Sequence, residues 1–267
     1  MTSQAVYSLH RGTRPLLVSV PHDGVQLPSD VARKMTDAGR VVADTDWHVA
    51  RLYESAVELG ASVIRPNYSR YVVDLNRPSD GVALYPGQDE TGLCPISSFA
   101  GEDLYKVGEE PSAEEVGERV RTYWQPYHSA LRSELARLKA QHQQVLLWEG
   151  HTIKSEVPRF FEGRLPDFNI GTYQGASCSK QLVRVVETVL HDQQDYSWVV
   201  NGRFKGGYIT RHYGQPDAGV HAIQLELSQR TYMNESPPFD WRESPAKRVQ
   251  AVIRQLLTAA ITALEIQ

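Results

Sequence analysis

Short aliphatic runs, each stopped by glycine, proline or a polar turn, alternate along this chain with stretches of helical periodicity. Leu16-Leu17-Val18-Ser19-Val20 stops at Pro21-His22-Asp23-Gly24, and Ala61 to Arg65, Tyr71 to Leu75, Val145 to Trp148 and Ala222 to Leu227 are runs of the same kind. Short runs of this make-up, bounded in this way, read as buried strands. Between them, Val49, Leu52, Tyr53 and Ala56 recur at helical spacing, with Gly60 placed to end the helix. Ser112 and Glu115 fit a capping box that opens a helical stretch, interrupted at Pro126 and resumed through Leu138. Leu182, Val185, Val186 and Val189 form another apolar face, and Val249, Ile253, Leu256 and Leu257 form the last, after Pro245. Strands alternating with helices predict an α/β fold, a single domain over residues 1–267 with a largely parallel sheet covered by helices.

Composition narrows the partners. The net charge is -4 and the signs are mixed along the 267 residues, so no basic face suited to nucleic acid shows in the totals. No apolar run approaches the ~18 residues that a membrane span needs, and Met1 to Arg14 lacks the apolar stretch of a signal peptide. Cys94 and Cys178 lie far apart without a CxxC, which argues for a reducing compartment. A cytoplasmic protein, monomeric or a small homo-oligomer, is the expectation. The stretch from Pro78 to Pro111 is rich in Gly, Pro, Asp and Ser and longer than an ordinary connection; it reads either as a flexible insertion or as an active-site lid. Neither GxxxxGK[ST] nor GxGxxG occurs, so nothing supports a nucleotide site.

Three features carry chemistry. His22 follows the first strand and His151 follows the run that ends near Trp148, and open α/β sheets bind ligands beyond the carboxyl ends of their strands. Two imidazoles delivered there fit a catalytic zinc site, which takes three N or O ligands and leaves one position open. Asp44, Asp46 and His48 are nearly equal candidates for the third ligand, each competing with the plain role of an acid in a first helical turn. Glu149, two positions before His151 and so facing the same way on a strand, is a further ligand candidate or a hydrogen-bond acceptor for an imidazole N–H. Glu226 lies within an apolar run, where a carboxylate costs desolvation unless it is paired or used. It is either a buried ion-pair or edge-strand residue, or a general base beside a metal. Arg70, Arg77, Arg159, Lys205 and Arg211 lie near predicted strand ends or in a glycine-rich loop, and the arginine fork suits carboxylates.

These residues sit in an ordered series of motifs. Ser19-Val20-Pro21-His22-Asp23-Gly24, Asp44-Thr45-Asp46-Trp47-His48, Ser69-Arg70-Tyr71-Val72-Val73-Asp74-Leu75-Asn76-Arg77-Pro78 and Gly150-His151-Thr152 come in that order, followed by Asn201 to His212 and Gln224-Leu225-Glu226-Leu227. From about Pro15 to Met233 the series resembles the N-formylglutamate amidohydrolase (deformylase) family of histidine degradation and, more distantly, the zinc carboxypeptidases and aspartoacylase. The resemblance implies a mixed, mainly parallel sheet of the zinc-exopeptidase kind and one zinc ion held by two histidines and a carboxylate. Val25 stands where the distant relatives carry the glutamate of HxxE, and the likeness to the formylglutamate group implies that the acid of the Asp-Trp-His stretch, Asp46, takes its place beside His22 and His151. By the same likeness Glu226 moves the proton and Arg70 polarises the scissile carbonyl. Asn76 and Arg77 hold the α-carboxylate of a small acidic N-acyl amino acid, and Arg211 meets its side-chain carboxylate. The alternatives are a deacylase for another acyl-aspartate or acyl-glutamate, a small peptidase, or a metal-containing sensor of acidic metabolites.

Overall fold

The computed structural model describes residues 5–84, 87 and 89–266. Seven strands, β1 (Tyr7–His10), β2 (Leu16–Ser19), β3 (Ser62–Pro66), β4 (Val145–Ile153), β5 (Phe168–Gly171), β6 (Trp198–Val200) and β7 (Val220–Ser228), form one sheet in the order β1-β3-β2-β4-β7-β5-β6. β3, β2, β4 and β7 run parallel, as do β5 and β6, while β1 on β3 and β5 on β7 are antiparallel. The sheet is therefore mixed and mainly parallel, as the α/β pattern and the family likeness imply.

Period-two alternation decides which side chains face which layer. Leu16, Val18, Leu146, Trp148, Ile223 and Leu225 pack on one face with the helices Lys180–Asp192 and Glu243–Glu265. Leu17, Val145, Leu147 and Ala222 pack on the other with the helix Gln125–Lys139. Because both faces are covered, β4 is buried along its whole length and β7 along almost all of it. Continuous aliphatic runs are the expected sequence of such strands. The capping box at Ser112 and Glu115 opens the helix Ala113–Arg119. The chain then passes through one π-helical turn, Val120–Trp124, so that Pro126 stands in the first turn of the next helix, where its missing N–H costs no hydrogen bond.

Two stretches depart from the strand-and-helix pattern. Tyr71 to Leu75 is an irregular buried turn and not a strand. Its backbone is held by a side chain instead of a ladder: the Asp74 carboxylate accepts the N–H of Asn76 and is bound by Arg70 and His22. Its apolar residues are buried because Val73 and Leu75 join the core beneath the helix Gln125–Lys139. Pro78 to Pro111 carries no helix or strand among its described residues, with Tyr85, Pro86 and Gln88 outside the description. Leu93 and Leu104 within it are buried, and Ser97 bridges to Asp103. Among the described residues no helix is long and apolar enough to cross a membrane, and Cys94 and Cys178 are unpaired.

Candidate active site

The turn after β2 carries His22, and its backbone carbonyl accepts the N–H of Asp46, which ties two loops together at the carboxyl edge of the sheet. His151 stands in β4, directly opposite Glu226 of the neighbouring β7 in register. Gly150 leaves room for Tyr53, whose ring occupies the space a side chain would need. The Tyr53 hydroxyl in turn accepts from the Trp148 indole, 2.8 Å away.

Donor atoms of His22, Asp46 and His151 all lie within 4.8 Å of one another, and all three residues are buried. His151 Nδ1 is 3.0 Å from Asp46 Oδ2, and His22 Nδ1 is 3.8 Å from Asp46 Oδ1. Ligands about 2.1 Å from a tetrahedral ion stand roughly 3.4 Å apart, so this spacing suits a metal such as zinc. The outer nitrogens are already committed: His22 Nε2 donates to Asp74 at 2.7 Å and His151 Nε2 to Glu149 at 2.6 Å. Such outer carboxylates fix the tautomer that presents Nδ1 to a metal. His22 Nδ1 is buried and has no hydrogen-bond partner among the described residues, which is the mark of a donor atom kept for another purpose.

The electrostatics of the two imidazoles differ in the metal-free site. Burial, followed by the charge of Arg70, lowers the His22 pKa and keeps the ring neutral, as a ligand must be. Burial alone would depress His151 too, but Glu149 and Asp46 raise it well above its ordinary value, so the surroundings favour positive charge there. Burial would raise Asp74, yet Arg70 and then His22 hold it well below the usual carboxylate range.

The four acids and imidazoles that sequence reasoning weighed for the third ligand are separated by their partners. Asp44 accepts from the Tyr71 hydroxyl and the Phe99 N–H, so it anchors a loop. His48 bonds the Phe239 carbonyl, and the second oxygen of Glu149 takes the N–H and hydroxyl of Thr210. Asp46 alone of the four joins both histidines.

A cavity of about 80 Å³ opens over this cluster and is lined by seven of the residues singled out from the sequence: His22, Asp46, His151, Glu226, Arg70, Asn76 and Arg77. Glu226 is 7% exposed, and burial raises its pKa to about 8 in spite of nearby His151. Arg70 donates to Asp74 at 2.6 Å and covers the Phe99 ring. The Asn76 side chain accepts the Ile209 N–H and sets Nδ2 3.1 Å from His151 Nε2. It fits there because Gly207, against it, has no Cβ.

Arg211 stands outside the cavity lining, contrary to the expectation that it meets a substrate carboxylate. Its guanidinium donates to the carbonyls of Gly206 and Leu84 and lies over Tyr173, because the helix Tyr208–Tyr213 turns that position away from the sheet edge. Arg159 likewise acts as a clasp, with two hydrogen bonds to Asp89 and one to the Ser98 carbonyl. Arg203, Phe204 and Gln224, which lie within the motif series but carry no assigned role there, line the cavity together with the rings of Phe99 and Phe160. Gln224 had a legible signal, since it precedes Glu226 by two positions and so shares its face of β7. Phe99 and Phe160 had none, because they come from loops far apart in sequence.

A carboxylate and two imidazoles gathered in a buried cavity at the strand ends of an α/β sheet, with a buried glutamate beside them, form a cluster that could hold a metal ion and fit the site of a hydrolase. The model of the N-formylglutamate amidohydrolase family matches residues 14–233, and the chain belongs to that family. It is 52% identical to an N-formylglutamate deformylase of Pseudomonas aeruginosa over 256 residues, covering 96% of each chain. A second N-formylglutamate deformylase, from Pseudomonas putida, is 49% identical with the same coverage. The crystal structure of an N-formylglutamate amidohydrolase from Ralstonia eutropha JMP134 superposes with a TM-score of 0.82 over 98% of each chain at 23% identity, which shows the shared fold.

Proposed function

We propose that this chain hydrolyses N-formyl-L-glutamate to formate and L-glutamate, using one zinc ion held by His22, Asp46 and His151. The observation that carries the reading is the gathering of three metal-binding donors, a buried carboxylate and arginines in one small cavity. The names of relatives about half identical over nearly the full chain support the choice of substrate.

A bound zinc ion supplies a Lewis acid that polarises a carbonyl and brings the pKa of water to about 7. The chain's own residues do the rest. Glu226 accepts the proton of the water that attacks the formyl carbon. Arg70 faces the formyl oxygen and stabilises the negative charge that develops on it. As the carbon–nitrogen bond breaks, Glu226 returns the proton to the departing amine nitrogen, and one water is consumed. Asn76 and Arg77 hold the α-carboxylate and keep the formyl group aimed at the metal end of the cavity. Asp74 and Glu149 orient the two imidazoles.

We read the whole chain as one catalytic domain, cytoplasmic, monomeric or a small homo-oligomer, closing a route of histidine degradation. The test is formate release from N-formyl-L-glutamate by the purified protein before and after treatment with a chelator. Turnover is expected to vanish on chelation and to return with zinc. Absence of formate from the metal-loaded protein, or full turnover by the metal-free one, overturns the reading.

A further inference from the structure

The turn that leads into Asn76 and Arg77 has no strand ladder, so its carbonyls must find other donors. The inference here rests on the proposed function, in which these two residues hold the α-carboxylate of the substrate. The Leu75 carbonyl accepts from His128 Nε2 at 2.9 Å, and the Arg77 carbonyl accepts from the Trp124 indole N–H at 2.9 Å. Between them, the Asn76 carbonyl accepts the Tyr208 N–H. Two of these three donors are side chains from one helical face. Trp124 closes the π-helical turn and His128 follows four positions later, with the ring centres stacked 3.8 Å apart.

We propose that Trp124 and His128 are positioning residues, which grip the backbone on either side of Asn76 and so aim Asn76 and Arg77 into the cavity. His128 is fully buried, and the reaction gives its imidazole no chemical step. Burial lowers its pKa to about 3, against the Leu75 hydrogen bond that raises it, so the ring is neutral and carries one proton. A carbonyl can only accept, which places that proton on Nε2. Nδ1 is then an acceptor, and the Tyr213 hydroxyl stands 2.9 Å from it.

Tyr213 also stacks on the imidazole, with the ring planes 8° apart. It ends the helix Tyr208–Tyr213, whose first turn donates the Tyr208 and Ile209 N–H groups to the carbonyl and side chain of Asn76. One short helix therefore holds Asn76 directly at its start and through His128 at its end. Filling the core alone would need two rings here, but not two N–H groups aimed at the carbonyls that flank an anchor. A phenylalanine at either position would keep a ring and leave one carbonyl without its donor.

The test compares kcat/KM for N-formyl-L-glutamate and for its α-amide, in which a carboxamide replaces the α-carboxylate, in the wild type, W124F, H128F and H128Q. The wild type is expected to favour the acid. W124F and H128F should each lower kcat/KM on the acid about 10- to 100-fold, mainly through KM, because a small misplacement of a binding group carries a cost of that order. The α-amide, which makes less use of the anchors, should lose much less, so the preference shrinks while zinc is retained. H128Q, whose amide nitrogen stands as many bonds from the backbone as Nε2 does, should restore most of the preference. W124F carries the same test where H128F does not fold. Variants that lower both substrates alike, or that keep the full wild-type preference, make Trp124 and His128 core residues and overturn the inference, while the proposed function stands. A wild type that turns over both substrates equally also overturns it, by removing the anchor role of Asn76 and Arg77. A wild type that releases formate from neither overturns the proposed function itself, and the inference with it.

Discussion

At the floor of the cavity, His151 and Glu226 stand opposite each other on two fully paired buried strands, and carboxylates hold both imidazoles from behind. At its roof, Asp89 and Arg159 meet on two loops, and the Asp89 side chain is 53% exposed. Both regions are rich in charge, yet the charges do different work. In the floor, water is excluded and each partner is fixed by the sheet, so removing one group leaves another buried and unpaired. In the roof, solvent screens the pair and can replace either partner.

Substitutions can break or sharpen that contrast. The largest effect is expected from H22A or H151A, each of which removes one of three donors. Elemental analysis should show a loss of metal and assays a loss of measurable turnover; near-stoichiometric zinc in both variants would remove the ligand assignment. E226Q should come next, with a rate lower by ~10²–10⁴ and metal retained, since the shape is kept and only the proton acceptor is gone. Activity within a few-fold of the wild type would make Glu226 a structural residue. The smallest effect is expected from D89N in the roof, a change in kcat/KM within about fivefold that shrinks further at high salt. A loss as large as that of E226Q would show that the roof takes part in chemistry, and the contrast would fail.

The legible part of this protein is its frame. Aliphatic runs such as Val145 to Trp148 and Ala222 to Leu227 announced buried parallel strands, because a strand covered on both faces has little other way to be built. His22, His151 and Glu226 were legible for the same reason, as polar groups at or within such runs. The run Tyr71 to Leu75 misled, because burial alone does not distinguish a strand from a turn held by its own aspartate.

The sequence by itself determined the α/β sheet and which strand ends carry the imidazoles and the buried glutamate, since periodicity and burial are local properties of the chain. Only the tertiary structure decided that Asp46, and not Asp44, His48 or Glu149, joins the two histidines, and that Arg203, and not Arg211, faces the cavity. Those choices depend on where loops from distant parts of the chain meet. A loop's path is set by the partners it finds, such as Tyr71 and Phe99 for Asp44 or the Gly206 carbonyl for Arg211, and residue spacing does not encode them.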